Sequence, residues 1–206
     1  MKHLEIEYKW QANVPRTFGR ASAMVKQMSA EVKEKSLRME DTYLDHANGD
    51  LAKQKIALRV RKINDRWEAT FKTRTQVKNG KAVRREETLS LPQVKNVAQA
   101  LTFLAQKKSW KGINLRGLTA RFVLKNKRYI YVFNYDGATL EMALDDVTLY
   151  VLGRQVKFRE IEAELKHGPA QALDRFARLF TQQTKLKRAE ISKVKTAETF
   201  LKFWQK

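Results

Sequence analysis

The chain has 206 residues with 43% hydrophobic content, enough for one domain with a substantial core. It contains no cysteine, which excludes disulfides and thiolate metal sites. A net charge of +20, from 42 Lys and Arg against 22 Asp and Glu, predicts attraction to polyanions.

Acids stand close to the start, where a signal peptide needs an apolar run, and no stretch approaches the roughly 18 apolar residues of a membrane span. A soluble cytoplasmic protein is expected. It is read as a single domain over 1–206, with a core over 3–167 and C-terminal helices over 169–204.

Alternation at period two recurs through most of the chain and predicts strands near 3–10, 40–46, 55–63, 66–74, 82–91, 118–125, 128–135, 138–149 and 154–166. Hairpins are expected at Asn64-Asp65, Asn79-Gly80, Asn126-Lys127 and Asp136-Gly137, dipeptides suited to tight turns. Helical spacing predicts helices over 15–35, 93–108, 169–184 and 189–204. Pro15, Pro92 and Pro169 lie at or near their first turns, where a missing N–H costs little. Residues 109–117 read as a linker within the domain.

Side chains two apart on a strand share a face. The first strand puts Glu5, Glu7 and Lys9 on one face and Leu4, Ile6, Tyr8 and Trp10 on the other. Near the far end, Glu160-Ile161-Glu162-Ala163-Glu164 repeats the pattern. Between them, Arg59, Arg61, Lys72, Arg84, Arg121, Glu141 and Asp145 fall on charged faces. A β-sandwich would leave those faces in water, whereas a barrel with helices outside would turn them into a lumen. Parity alone does not separate the two. One strand is irregular, since Val156 and Phe158 share parity with Glu160, and a β-bulge between Phe158 and Glu160 is expected to repair it.

Carboxylates two apart on a strand sit about 7 Å from each other and repel by roughly 2 kcal/mol at an effective dielectric near 20. Several converging on one cavity call for a hard divalent cation with oxygen ligands, Mg²⁺ or Mn²⁺. His3, His46 and His167 share no ligand spacing.

The N-terminal Glu5-x-Glu7-x-Lys9 and the late Glu160-x-Glu162 resemble the CYTH family, the triphosphate tunnel metalloenzymes. Tyr43-Leu44-Asp45, Ile56-Ala57-Leu58-Arg59-Val60-Arg61, Phe71-Lys72, Arg84-Arg85-Glu86, Arg121 and Leu140-Glu141-Met142-Ala143-Leu144-Asp145 follow in the family's order over residues 3 to 195. The resemblance implies an α+β fold: a closed antiparallel β-barrel of about eight strands with flanking helices.

It also implies metal-dependent hydrolysis of a triphosphate inside the barrel, with inorganic tripolyphosphate as the expected substrate. Carried over by position, Glu5, Glu7, Glu160 and Glu162 become metal ligands. Glu141, Asp145 and Glu164 would orient metal-bound water. Lys9, Arg59, Arg61, Lys72, Arg84 and Arg121 would hold phosphates, with Lys9 also beside the nucleophile.

Two alternatives stand beside this reading: a class IV adenylyl cyclase making cyclic AMP and pyrophosphate, and a polyphosphate- or RNA-binding module without chemistry. The C-terminal basic run of Lys185, Lys187, Arg188, Lys193 and Lys195 could add a nucleic-acid patch, or form the polar side of a capping helix. The expected partner is a small triphosphate; nucleic acid is not favoured, and the chain is read as a monomer or homodimer.

Overall fold

A computed structural model describes residues 2–12, 14, 16–73, 75–107, 109–110, 112–189 and 191–204. Pro15, expected in the first turn of a helix, lies outside them. In chain order the elements are β1 (Lys2–Gln11), α1 (Arg16–Met28), β2 (Val32–Asp45), α2 (Asp50–Lys53), β3 (Ala57–Ile63), β4 (Arg66–Lys72), β5 (Gln76–Lys78), β6 (Lys81–Ser90) and α3 (Val97–Gln106). There follow β7 (Ser109–Trp110), β8 (Ile113–Asn114), β9 (Thr119–Tyr135), β10 (Ala138–Val151), β11 (Arg154–His167), α4 (Ala170–Thr184) and α5 (Lys193–Trp204).

The large sheet runs β1-β11-β10-β9-β2-β3-β4-β6, and pairing of β1 with β6 closes it into an eight-stranded antiparallel barrel. β1 joins two partners. Its first part pairs with β6, Glu5 opposite Arg84, and its second with β11, Lys9 opposite Glu162 and Gln11 opposite Glu160. Among the described residues, closure leaves no free edge along the barrel, apart from short β5 beside β6. β7 and β8 form a separate small hairpin within the expected linker.

Three of the four expected hairpins form. Asn64, Asn79-Gly80 and Asp136-Gly137 all take positive φ, as tight two-residue turns demand. The fourth does not. Asn126 and Lys127 sit mid-strand in β9, where Asn126 pairs with Met39 on one side and Val147 on the other. Both neighbours offer continuous backbone partners, so the chain has no reason to turn there.

The first expected helix is also too long. It ends at Met28, Ser29 N–H bonding to Val25 C=O, and residues 32–45 become β2 because β9 supplies antiparallel partners from Phe133 to Thr119. The expected bulge before Glu160 is absent. β10 and β11 pair regularly from Val151–Arg154 to Leu140–Leu165, and their one irregularity lies between Thr139 and Leu140.

The reason for the odd parity of Val156 and Phe158 is tertiary. They face the same side as Glu160, and so do Val147 and Leu149 opposite them. Together with Tyr43, Phe122, Leu124 and Val151 they make one end of the barrel interior apolar. The buried Ala197 and Leu201 of α5 pack there with Val194, Phe200 and Trp204. The lumen is therefore charged along part of its length and plugged by a helix at the apolar end.

Outside the barrel, apolar residues meet helix covers as alternation requires. Trp10, Phe133, Leu140, Met142, Leu144 and Ile161 pack against Met24 and Val25 of α1 and Phe176 and Phe180 of α4. Burying each such side chain stabilises by roughly 1.5–3 kcal/mol. Trp10 keeps its indole N–H satisfied by donating to Thr181 Oγ1 at 2.8 Å. A second outer core joins Leu44, Leu58, Val60 and Leu91 to Leu51 of α2 and Leu104 of α3. Asn96 caps α3, its side chain accepting from Gln99 N–H at 2.9 Å. No helix among the described residues is long and apolar enough to cross a membrane.

Candidate active site

The lumen holds a cavity of about 600 Å³ lined by residues of β1, β2, β3, β4, β6, β9 and β11 and by the start of α5. Eleven basic and six acidic side chains line it, so its wall favours anions while carrying the acids to hold a cation.

One arc is built by β1, β3, β4 and β6. Arg84 donates through Nε to Glu5, and its Nη2 lies 2.9 Å from Glu7. Lys72 Nζ lies 2.5 Å from Glu86 and 3.6 Å from Glu5. Arg61 donates to both oxygens of Asp41, at 2.5 and 2.7 Å, and Arg59 reaches the same carboxylate at 3.3 Å and Glu86 at 3.7 Å. Arg59 Nε and Thr70 Oγ1 are buried with no hydrogen-bond partner among the described residues. Such groups are costly when left unmade, and a phosphate oxygen would satisfy them.

The opposite arc comes from β9, β10, β11 and α5. Asp145 is fully buried and accepts from Arg128 Nε at 2.6 Å and Nη2 at 2.5 Å. Arg128 Nη2 also donates to Glu162 at 2.5 Å. Oxygens of Asp145, Glu160 and Glu162 converge within 4.8 Å of one another. Lys193, at the first position of α5, enters this cluster: its ammonium lies 2.8 Å from Asp145 and 3.0 Å from Glu162, and it donates to Glu160. Lys9 bridges the arcs, 2.5 Å from Glu162 and 3.3 Å from Glu7.

These neighbours set the protonation states. Burial disfavours the Glu5 anion, but Lys72 and Arg84 outweigh it and hold the carboxyl far below its usual range. Glu162 is likewise held low against burial by Lys9 and Arg128. Asp145 and Asp41 are each held at about 2, the first by Arg128 and Lys193 and the second by Arg61 and Arg59, again against burial.

The lysines divide. Burial is outweighed at Lys9 by Glu162 and Glu7, which raise its pKa. At Lys72 burial, with Arg84 and Arg59, brings it down to about 8. At Lys193 burial wins over Asp145 and brings it down to about 7. Glu164 is raised by burial despite Lys166, 3.0 Å away.

The structure brings most of the expected residues together and rearranges their company. Glu160 and Glu162 converge as expected, but with Asp145, while Glu5 and Glu7 are engaged by Arg84 on the other arc. Glu141 and Glu164 pair across β10 and β11 outside the three-carboxylate cluster. Lys9, Arg59, Arg61, Lys72 and Arg84 all sit in the charged lumen.

Arg121 does not. Tyr43 pairs with Phe122 and Leu44 with Ala120, so Arg121 is the extra residue of a bulge and does not line the cavity. Arg128 supplies a guanidinium there instead. The false turn at 126–127 hid it, although unbroken parity through Leu124, Asn126 and Arg128 would have revealed it. Asp41 lies on an expected strand and lines the lumen between Arg59 and Arg61, a role that no motif in the sequence marks. Lys193 lies on a helix, and no strand parity could place it. Asp45 is structural, accepting from the backbone N–H groups of His46, Leu51 and Ala52.

Of the other C-terminal bases, Lys195 lines the same cavity as Lys193. Arg188 stacks over Tyr8 at 4.2 Å, while Lys185 and Lys187 lie between α4 and α5.

The family model described as the CYTH domain matches residues 3–197. This chain belongs to the CYTH domain family. Solved structures with the same fold include HpAC1 from Hippeastrum, described as having a dominant triphosphatase activity. It is 19% identical, with a TM-score of 0.66 over 95% of each chain. The PH1819 protein of Pyrococcus horikoshii is 19% identical, with a TM-score of 0.64 over 93% of this chain and 97% of that one. A Mimivirus capping-enzyme triphosphatase is 12% identical, with a TM-score of 0.52 over 88% and 89%. No curated protein matches the sequence at a significant level.

Proposed function

We propose that this CYTH protein hydrolyses a phosphoanhydride bond of a triphosphate, with inorganic tripolyphosphate as substrate and Mg²⁺ or Mn²⁺ as cofactor. The observation that carries the reading is the Lys193 ammonium seated among Asp145, Glu160 and Glu162, beside the guanidinium of Arg128. A position that three buried carboxylates already offer to a cation also suits a hard divalent ion with oxygen ligands. These three residues would hold the metal. Bound there, it would neutralise charge on the phosphoryl group being transferred.

The chain's own residues supply the rest. Arg59, Arg61, Lys72 and Arg84 form one wall for phosphoryl oxygens, and Arg128 and Lys9 the other. Guanidiniums can bind in bidentate fashion, and the lysines act as point charges. Their present carboxylate partners keep these cations oriented before substrate arrives, so positioning is largely settled in advance. Glu164, with a pKa raised by burial, is the carboxylate suited to take a proton from the attacking water, with Glu141 opposite it. The plug made by α5 closes one end of the lumen and limits entry of bulk water there.

The test is orthophosphate release from tripolyphosphate with Mg²⁺, with Mn²⁺ and with chelator, beside ATP and thiamine triphosphate, with products identified. Metal-dependent release that is fastest on tripolyphosphate is expected. Cyclic AMP and pyrophosphate from ATP would overturn hydrolysis, and equal release in chelator would overturn the metal.

A further inference from the structure

A second charged concavity lies outside the barrel, away from the tunnel chemistry. It is an open groove of about 1030 Å³ across β2, β3, β9, β10 and β11, on a stretch of wall between the helix covers. Register places its outward side chains in two rows. One runs Lys62, Glu40, Lys125, Thr148, Lys157, and the other Arg38, Lys127, Asp146, Arg159.

Glu40 is engaged by Lys125 at 3.4 Å and Asp146 by Arg159 at 3.3 Å. Arg38, Lys62, Lys127 and Lys157 make no ion pair with any described residue. With Asp65 also in the lining, six basic side chains face three acidic ones, and the excess cations repel each other unless an anion lies between them.

Each border of the groove carries a tyrosine with a lysine over its ring. Lys127 Nζ lies 5.0 Å from the Tyr129 centroid, and Lys125 Nζ 5.6 Å from that of Tyr150, which is 40% exposed. Tyr150 is opposite Val123, so the two tyrosines are separated by six residues of β9, about 20 Å.

We propose that this groove binds single-stranded nucleic acid. Tyr129 is half-buried against the outer core, so the exposed Tyr150 is the stacking platform: its ring stacks a base in any sequence once Lys125, which lies over it, turns to the backbone phosphate. Duplex ends the match, because paired bases present no face to Tyr150. The groove spans roughly the four nucleotides of the smallest single-strand sites.

The test uses fluorescence anisotropy with a 3′-labelled mixed-sequence RNA bearing a 5′-hydroxyl, which offers the tunnel no triphosphate. The triple variant Lys125→Ala, Lys127→Ala, Lys157→Ala is expected to bind at least about tenfold more weakly, with its log-log salt slope reduced by about 2. Tyr150→Ala is expected to weaken binding about 5-fold or more with the slope unchanged. Tripolyphosphate hydrolysis should be unaltered in both, showing that they fold. The proposal is overturned if wild-type protein does not bind the RNA near about 100 mM salt. It is equally overturned if saturating tripolyphosphate abolishes binding, which would put the RNA in the tunnel. Equal competition by duplex, or by long-chain polyphosphate with Tyr150→Ala unaffected, would also overturn it, by showing a general polyanion surface.

Discussion

Asp145 is the group whose loss tests the electrostatic design most directly. It has no exposed surface, accepts two hydrogen bonds from Arg128, and lies 2.8 Å from Lys193. Asp145→Asn keeps the shape and removes the charge. The carboxyl is held at about 2 against an ordinary 3.8, which corresponds to roughly 2.5 kcal/mol in favour of the anion at about 1.36 kcal/mol per unit. Breaking a buried pair by removing one partner costs about 3–5 kcal/mol, and because Arg128 keeps Glu162 and Lys193 keeps Glu160 and Glu162, the low end of that range applies. We expect a loss of about 3 kcal/mol at neutral pH, read as a lower urea midpoint with an unchanged slope.

The pH dependence has a definite sign. A depressed folded pKa gives stability that is complete above 3.8 and is lost as pH falls through 3.8 towards about 2. The gap between wild type and variant should therefore be flat from neutral pH to about 5 and narrow at lower pH. A loss under about 1 kcal/mol at neutral pH, or a gap that does not narrow in acid, would refute the reasoning.

Arg128→Ala should raise KM for tripolyphosphate about 10- to 100-fold, since hydrogen bonds to charged groups contribute about 1.5–3 kcal/mol, whereas Arg121→Ala should change it less than about twofold. Steady-state kinetics on the two variants separates the lumen from the bulge, and equal effects would contradict the placement of Arg121. Lys72 and Lys193 are lowered to about 8 and about 7, and a triphosphate beside them raises both again. Binding near pH 8 in the presence of chelator should therefore take up protons, about 1.4 in all when both lysines become fully charged. Calorimetry in buffers of different ionisation enthalpy measures this, and a buffer-independent enthalpy would count against it. Leu201→Asp puts an unpaired carboxylate into the apolar end of the barrel, where α5 packs, at a cost of several kcal/mol. It should unseat α5, withdraw Lys193 and reduce turnover at least about tenfold. Full activity together with a changed Trp204 emission would show that α5 is dispensable.

Alternation at period two was enough to define most of the strands, though not the first half of β2, and to mark the two acidic segments at the ends of the chain. It is a local property, because successive side chains leave a strand on opposite sides whatever lies beyond. The order of Glu5, Arg59, Lys72, Arg84, Asp145 and Glu162 along the chain therefore predicted most of the charged lumen. Tertiary structure decided the rest. Val156 and Phe158 look misplaced beside Glu160 until α5 is seen to pack against them, and no bulge is needed. Asn126-Lys127 has the composition of a turn, but strands on both sides supply its backbone partners and keep β9 straight. Arg121 leaves the lumen because the apolar end of the barrel takes Phe122 and Leu124 inside and alternation turns Arg121 away, and the same parity carried through an unbroken β9 puts Arg128 in the lumen. Lys193 reaches the carboxylates of β10 and β11 only because a distant helix docks on the apolar end of the barrel. Burial energy summed over that docking surface fixes its position, and such a sum has no counterpart in any local pattern of the sequence.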